Sequence, residues 1–197
     1  HLGREDEALR AFERATKVSP RDPRPWYNKG CIFSERGDFG AAVAAFDRAL
    51  EADPGYAAAL NNRGSALFEL GRYGEAEASF DRSLEIEPGN PAVWYNKALI
   101  QKEGGAQEAA LESLARVLEL DPRHAGALHT RGLLFHALGR RGEALEAYDR
   151  ALEIDPALVH TWYDRGIALE EMDRTEEAIV SFRHAADLDF GDSLAWY

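Results

Sequence analysis

Residues 23–56 read PRPWYNKGCIFSERGDFGAAVAAFDRALEADPGY, and residues 57–90 read AAALNNRGSALFELGRYGEAEASFDRSLEIEPGN. Laid over one another, the two 34-residue stretches keep small and large residues in register: Gly30 with Gly64, Ala42 with Ala76, Phe46 with Phe80, Pro54 with Pro88. The same step continues in both directions. It links Ala8, Ala42, Ala76, Ala110, Ala144 and Ala178, and it links Phe12, Phe46, Phe80, Leu114, Tyr148 and Phe182. Prolines fall at Pro20, Pro54, Pro88, Pro122 and Pro156, with Phe190 in the sixth slot. A fixed period of this length marks a solenoid, in which each unit buries its apolar face only against its neighbours.

With Pro23 as position 1, Trp26 is position 4, Gly30 position 8, Phe33 position 11, Ala42 position 20 and Phe46 position 24. The apolar positions recur at three- and four-residue steps, as on amphipathic helices. Gly37-Asp38 interrupts the pattern and Asp53-Pro54 ends it. A proline restricts the residue before it to extended geometry, so each such pair closes a helix. Each unit is therefore a helix A, a short turn, a helix B and a proline turn. Small residues at positions 8 and 20 let the two helices approach, and large ones at positions 4, 11 and 24 fill the space beside them.

These residues resemble the tetratricopeptide repeat family, whose pattern is Trp-x2-Leu-Gly-x2-Tyr, then Ala-x3-Phe-x2-Ala, then Pro. The resemblance covers essentially the whole chain. It implies an all-α fold, a right-handed superhelical solenoid of antiparallel helix pairs. The units are read as a partial repeat at 1–22 (helix B), full repeats at 23–56, 57–90, 91–124, 125–158 and 159–192, and the start of a further helix A at 193–197. Position 7 departs from the family: it is Lys29, Arg63, Lys97, Arg131 and Arg165 where Leu is common. The repeat at 91–124 is the least regular, with Ala98 for Gly, Gln101 for the aromatic and Gly104-Gly105 for Leu-Gly. That glycine pair reads as the softest point, since glycine in a helix end costs about 1 kcal/mol relative to alanine. Both ends of the chain fall inside a repeat. A fragment of a longer array is expected, with head-to-tail stacking through the open ends as the alternative.

The resemblance also implies that helix A lines a concave, ligand-facing surface. Position 6 of that helix is Asn28, Asn62, Asn96, Thr130 and Asp164. An Asn amide both donates and accepts, so it can pair with the N–H and C=O of a peptide main chain. The three asparagines are similar to the asparagine ladder in the repeat domain of O-linked N-acetylglucosamine transferases, which holds extended peptides by their backbones. They are also common family background. Position 5 is Tyr27, Asn61, Tyr95, His129, Tyr163 and Tyr197, which serve either as binding anchors or as packing against the next helix A. The candidate peptide-binding residues are thus Asn28, Asn62, Asn96, Tyr27, Asn61, Tyr95, His129 and Tyr163.

Net charge is −12, which argues against a phosphate backbone as partner. No apolar run reaches the ~18 residues a membrane helix needs. The single cysteine, Cys31, excludes an internal disulfide and fits a reducing, cytoplasmic setting. No phosphate-binding loop, nucleophile elbow or metal-spaced Cys or His set occurs, so neither catalysis nor a cofactor or metal is expected. His129 and His136 lie two turns apart on one helix face and read as solvated. Position 5 lacks the lysine of chaperone-tail clamps. The function expected is a non-catalytic scaffold that binds a neutral to mildly basic extended peptide or partner segment. The alternatives are the targeting domain of a larger enzyme such as a glycosyltransferase, and an end-to-end self-assembling module.

Overall fold

The computed structural model describes residues 2–194, with side chains over 5–189. The sequence-predicted anchor Tyr197 and the neighbouring Trp196 lie outside the described residues. Among the described residues all regular structure is helical, in eleven helices: α1 Leu2–Val18, α2 Pro23–Glu35, α3 Phe39–Ala52, α4 Ala57–Glu69, α5 Tyr73–Ile86, α6 Pro91–Glu103, α7 Gln107–Leu120, α8 Ala125–Ala137, α9 Arg141–Ile154, α10 Val159–Glu170 and α11 Thr175–Leu194.

Two local devices set the helix ends. Helices α2 and α6 open with Pro23 and Pro91, whose missing N–H is no loss in the first turn. Asp22 and Asn90 cap them, each accepting from a backbone N–H of the first turn. The turn between helix A and helix B rests on one left-handed residue. Gly37, Gly71, Gly105 and Gly139 all have φ between 71° and 76°, and in the last pair Asp173 takes the same place at φ 58°. At most of these turns the chain folds back so that the next N–H reaches a carbonyl five residues earlier, as Asp38 does to Phe33 and Arg140 to Phe135. Only glycine adopts this geometry without a Cβ penalty. The proline slot works differently at its last occurrence. Phe190 neither lacks an N–H nor restrains its predecessor, and α11 runs through it to Leu194.

The chain divides into two compact units, His1–Gly105 and Ala106–Tyr197. The division falls at the Gly104-Gly105 pair. In the first unit α1 to α6 pack each on the next, and α4 meets both α2 and α6 as successive A helices. Its core gathers Phe46, Leu67, Phe80, Val93 and Ile100 around the small residues Ala42, Ala49 and Ala76. In the second unit α8 pairs with α9 and α10 with α11, and α8 meets α10. Tyr148, Leu145 and Leu169 fill its core, with Ala144, Ala168 and Ala178 as the small partners.

Position 8 decides how closely helix A and helix B approach. A Cβ built on Gly30, Gly64, Gly132 or Gly166 would lie 2.3–2.6 Å from the ring at position 24 of the same pair, Phe46, Phe80, Tyr148 or Phe182. Contacts between carbon atoms are ordinarily about 3.5–4.0 Å. Glycine here is a requirement of the ring, and the register read from the sequence puts the two together.

Candidate functional site

In the first unit, successive A helices bring the sequence-predicted asparagines together in a chain of hydrogen bonds. Asn62 Nδ2 donates to Tyr27 Oη at 3.1 Å and to Cys31 Sγ at 3.6 Å. Asn61 Nδ2 donates to Asn62 Oδ1 at 3.2 Å. Asn96 Nδ2 donates to Asn61 Oδ1 at 3.2 Å and to Ser65 Oγ at 3.5 Å. Tyr27, Asn62, Asn61 and Asn96 thus form one polar line across α2, α4 and α6. The links between helices span about one repeat, because a side chain on one A helix reaches back to the helix before it. All four residues are half-buried. Burial, and next the Cys31 thiol, push the Tyr27 phenol up to about 12, so it stays protonated at neutral pH.

This wiring changes what each amide can offer. Asn62 spends its donors on Tyr27 and Cys31, and its carbonyl accepts from Asn61. Asn96 spends its donors on Asn61 and Ser65 and keeps its carbonyl. Asn28, at the head of the line, makes no such link. Beside the line lies a cavity of about 140 Å³ lined by Ser65, Phe68, Glu69, Phe80, Asn96 and Leu99. Its floor is apolar and its rim carries an amide, a hydroxyl and a carboxylate. Phe68 and Leu99 are not among the sequence-predicted site residues. The signal was present in their spacing, since Leu99 lies one helical turn beyond Asn96 and Phe68 stands on the A helix before it.

Tyr27 and Tyr163, predicted at position 5, pack against the rings of position 24. Tyr27 lies 5.9 Å from Phe46 and 5.0 Å from Tyr56, and Tyr163 lies 5.6 Å from Phe182. Tyr95 is half-buried on α6. Tyr163 keeps 53% of its surface exposed and is the most open of the set.

The second unit replaces the asparagine line with ionisable groups. His129 Nδ1 and Thr161 Oγ1 share a hydrogen bond at 2.9 Å, and His129 Nε2 lies 3.8 Å from Asp164 Oδ2. His136 Nε2 lies 3.1 Å from Glu171 Oε2, which Arg141 also engages at 2.7 Å. His129 therefore reaches α10 and His136 the residue that caps it, so the two do not share a ligand. Among the described residues no group of three potential metal ligands forms. Burial pushes the Asp164 carboxyl up, opposed by His129, then His160 and His136. Arg141, ahead of His136, holds Glu171 down.

Away from this face, the position-7 cations have a function the sequence reading missed. Arg63 Nε donates to Asp47 at 2.6 Å, Lys97 Nζ to Asp81 at 2.5 Å and Arg165 Nε to Asp149 at 2.6 Å; Lys29 Nζ is 4.0 Å from Glu13. Each pair joins helix A to the helix B sixteen residues back. Arg63 and Arg165 also donate to Ser79 and Ser181, sixteen residues ahead. Asp149 is thus half of an inter-repeat tie.

Paired helices closed by left-handed turns, with A helices meeting edge to edge, define a helical-repeat protein. Tetratricopeptide repeat family models match residues 2–55, 27–91, 91–124 and 159–192, and a TPR repeat model matches residues 132–173. The chain belongs to the tetratricopeptide repeat family. No curated protein matches it. Among solved structures it is similar to MamA, at 24% identity and TM-score 0.77 over 85% of this chain and 97% of that one. It is similar to MamA from Desulfovibrio magneticus RS-1, at 22% identity and TM-score 0.80 over 86% and 96%. It is also similar to YrrB, described as a TPR protein with an unusual peptide-binding site, at 25% identity and TM-score 0.74 over 90% and 92%. Among the described residues no helix is long and apolar enough to cross a membrane.

Proposed function

We propose that this chain is a non-catalytic scaffold that binds an extended peptide segment of a partner protein on the A-helix face of its first unit. The observation that carries this reading is the cavity beside Asn96. Phe68, Phe80 and Leu99 offer a socket for one apolar side chain, with the polar line running directly alongside. An apolar socket with a few convergent polar groups is the usual form of a ligand site. The Asn96 carbonyl accepts a peptide N–H, and Asn28 offers a whole amide at the other end of the line. Glu35, Glu69 and Glu103 are exposed one repeat apart, which favours a neutral to mildly basic segment. Support also comes from YrrB, whose fold is similar and whose own peptide-binding site is noted in its description.

The test is selection of peptides from a displayed random library on the immobilised chain, followed by affinity measurement on variants. Leu99→Asp and Asn96→Ala should each weaken a selected peptide by about tenfold or more, which is about 1.4 kcal/mol. Unchanged affinity in both variants, with helicity retained, removes the site from this face.

A further inference from the structure

The inter-repeat ties described above have one gap, and it leaves a cation available to a partner. Position 7 of the repeat at 125–158 is Arg131. Sixteen residues back, where Glu13, Asp47, Asp81 and Asp149 supply the carboxylate for the other four cations, stands Ala115. Sixteen residues ahead, where Ser79 and Ser181 meet Arg63 and Arg165, stands Ala147. Both partners are missing at the same rung. The consequence is visible at the guanidinium: Arg131 Nε is buried and makes no hydrogen bond. The guanidinium faces the Phe135 ring, 5.9 Å from Arg131 Cζ and shared with Arg140 at 4.5 Å.

A second cation stands beside it. Burial lowers the pKa of Arg131 and the neighbouring Arg150 lowers it further, while Glu146 and Glu143 act in the opposite sense. Glu143 is already committed to Arg140. Arg150 is exposed on α9 and forms no ion pair among the described residues; of its counterparts, Arg48 and Arg116 each hold a glutamate three residues on, while Arg82 donates to the Pro54 carbonyl. In a chain of net charge −12, this rung holds two neighbouring guanidiniums with no carboxylate bound to them among the described residues.

We infer that Arg131 and Arg150 form a docking point for an acidic side chain of a partner protein, on the helix-B side of the second unit. The carboxylate that other rungs draw from the preceding helix B is supplied at this rung from outside. The geometry of the intact rungs names the chemistry. They hold Asp carboxylates against Arg Nε at 2.6 Å; at Arg131 the Nε is enclosed, so an incoming carboxylate meets the terminal guanidinium nitrogens on the side where Ala115 replaces Asp. A guanidinium already desolvated on one side gains more from an incoming carboxylate than one in water does. The partner segment is therefore acidic at this point, in contrast to the peptide proposed for the A-helix face. The two surfaces are independent.

The test uses the full chain and an acetylated, amidated tetra-aspartate peptide, titrated at low salt while the Arg Nε–H signals are followed by NMR. Saturable shifts at Arg131 and Arg150 are expected, with affinity weakened about tenfold in Arg131→Gln. The decisive variant is Ala115→Asp, which restores the internal carboxylate. It should raise the urea midpoint of the chain and abolish the peptide shifts together. Inorganic phosphate serves as a second probe at matched ionic strength. No saturable shift, or shifts that persist in Ala115→Asp, overturn the proposal. Saturation by phosphate with none by the peptide overturns its assignment to a carboxylate.

Discussion

Replacing Gly64 with alanine should destabilise the protein, although alanine is the better helix former. The new Cβ would sit 2.6 Å from Phe80 Cε1, 2.8 Å from Cζ and 2.9 Å from Cδ1. Restoring ordinary contact needs a shift of about 1 Å. Phe80 is only 1% exposed and has no room to yield. Overpacking of this kind costs roughly 1–3 kcal/mol. Alanine over glycine inside a helix returns about 1 kcal/mol, leaving a net loss of about 1 kcal/mol. Phe80→Leu alone empties part of the core and costs roughly 1–2 kcal/mol, short of the roughly 3–5 kcal/mol for full truncation of Phe to Ala. Together the two changes should be far milder than their sum. The shorter leucine side chain does not press on the new Cβ, and the helix-propensity gain is kept. The coupling should then be about 1–2 kcal/mol in favour of the double variant, within the range for residues in contact. The repeat at 91–124 already carries both exchanges, Ala98 with Leu114. Urea unfolding of the four proteins measures the cycle. Where the transition is not single, native-state hydrogen exchange of α4 and α5 amides replaces it. Additivity within about 0.5 kcal/mol would refute the reasoning.

Three further outcomes follow from the same structure. Asp47→Ala should cost less than about 1 kcal/mol, with a loss that shrinks in high salt, because the Arg63–Asp47 tie is half-exposed; urea midpoints at two salt concentrations check it. Asp173→Gly should raise the melting temperature slightly, by an amount worth up to about 1 kcal/mol, since a side chain there sits at φ 58° where four other turns use glycine. Asp164→Asn should stabilise at pH 7 and do nothing at pH 3. Burial raises the folded pKa of Asp164, so its favourable contribution exists below the unfolded carboxylate value and is lost as pH rises through the folded one; the gain, below about 1 kcal/mol for a half-buried group, is read from melting temperatures at the two pH values.

The helices were legible because their determinants are local and repeated. Apolar residues at three- and four-residue steps, Gly37 and its counterparts, and the Asp-Pro closures each act within a turn or two of chain. Repetition averages away the exceptions. The glycine of position 8 and the ring of position 24 were equally visible as a recurring pair, though only coordinates show that one excludes the other's Cβ. Phe190 shows the limit. A residue filling a proline slot keeps the period on paper but removes the physical reason for a break, and α11 continues through it.

Side-chain roles were less legible because they depend on which repeat neighbour a residue reaches. Arg63 read as a departure from the family's leucine. It is the donor to Asp47 and Ser79, which lie sixteen residues away on either side. Asn62 read as a free rung for a peptide, yet its amide is engaged by Tyr27, Cys31 and Asn61. Tyr27, Cys31, Asp47 and Ser79 all sit on other helices, at separations no helical or strand period picks out. Once one rung is seen, the separation becomes a rule that can be run along the chain. The rule then makes absences informative: Ala115 and Ala147 are ordinary residues by themselves, and they matter only because the repeat states what should stand there. One rung lacks the internal carboxylate that the other four have. An external partner accounts for that absence better than indifference does, since a half-buried guanidinium without a carboxylate carries a desolvation cost that one aspartate would remove.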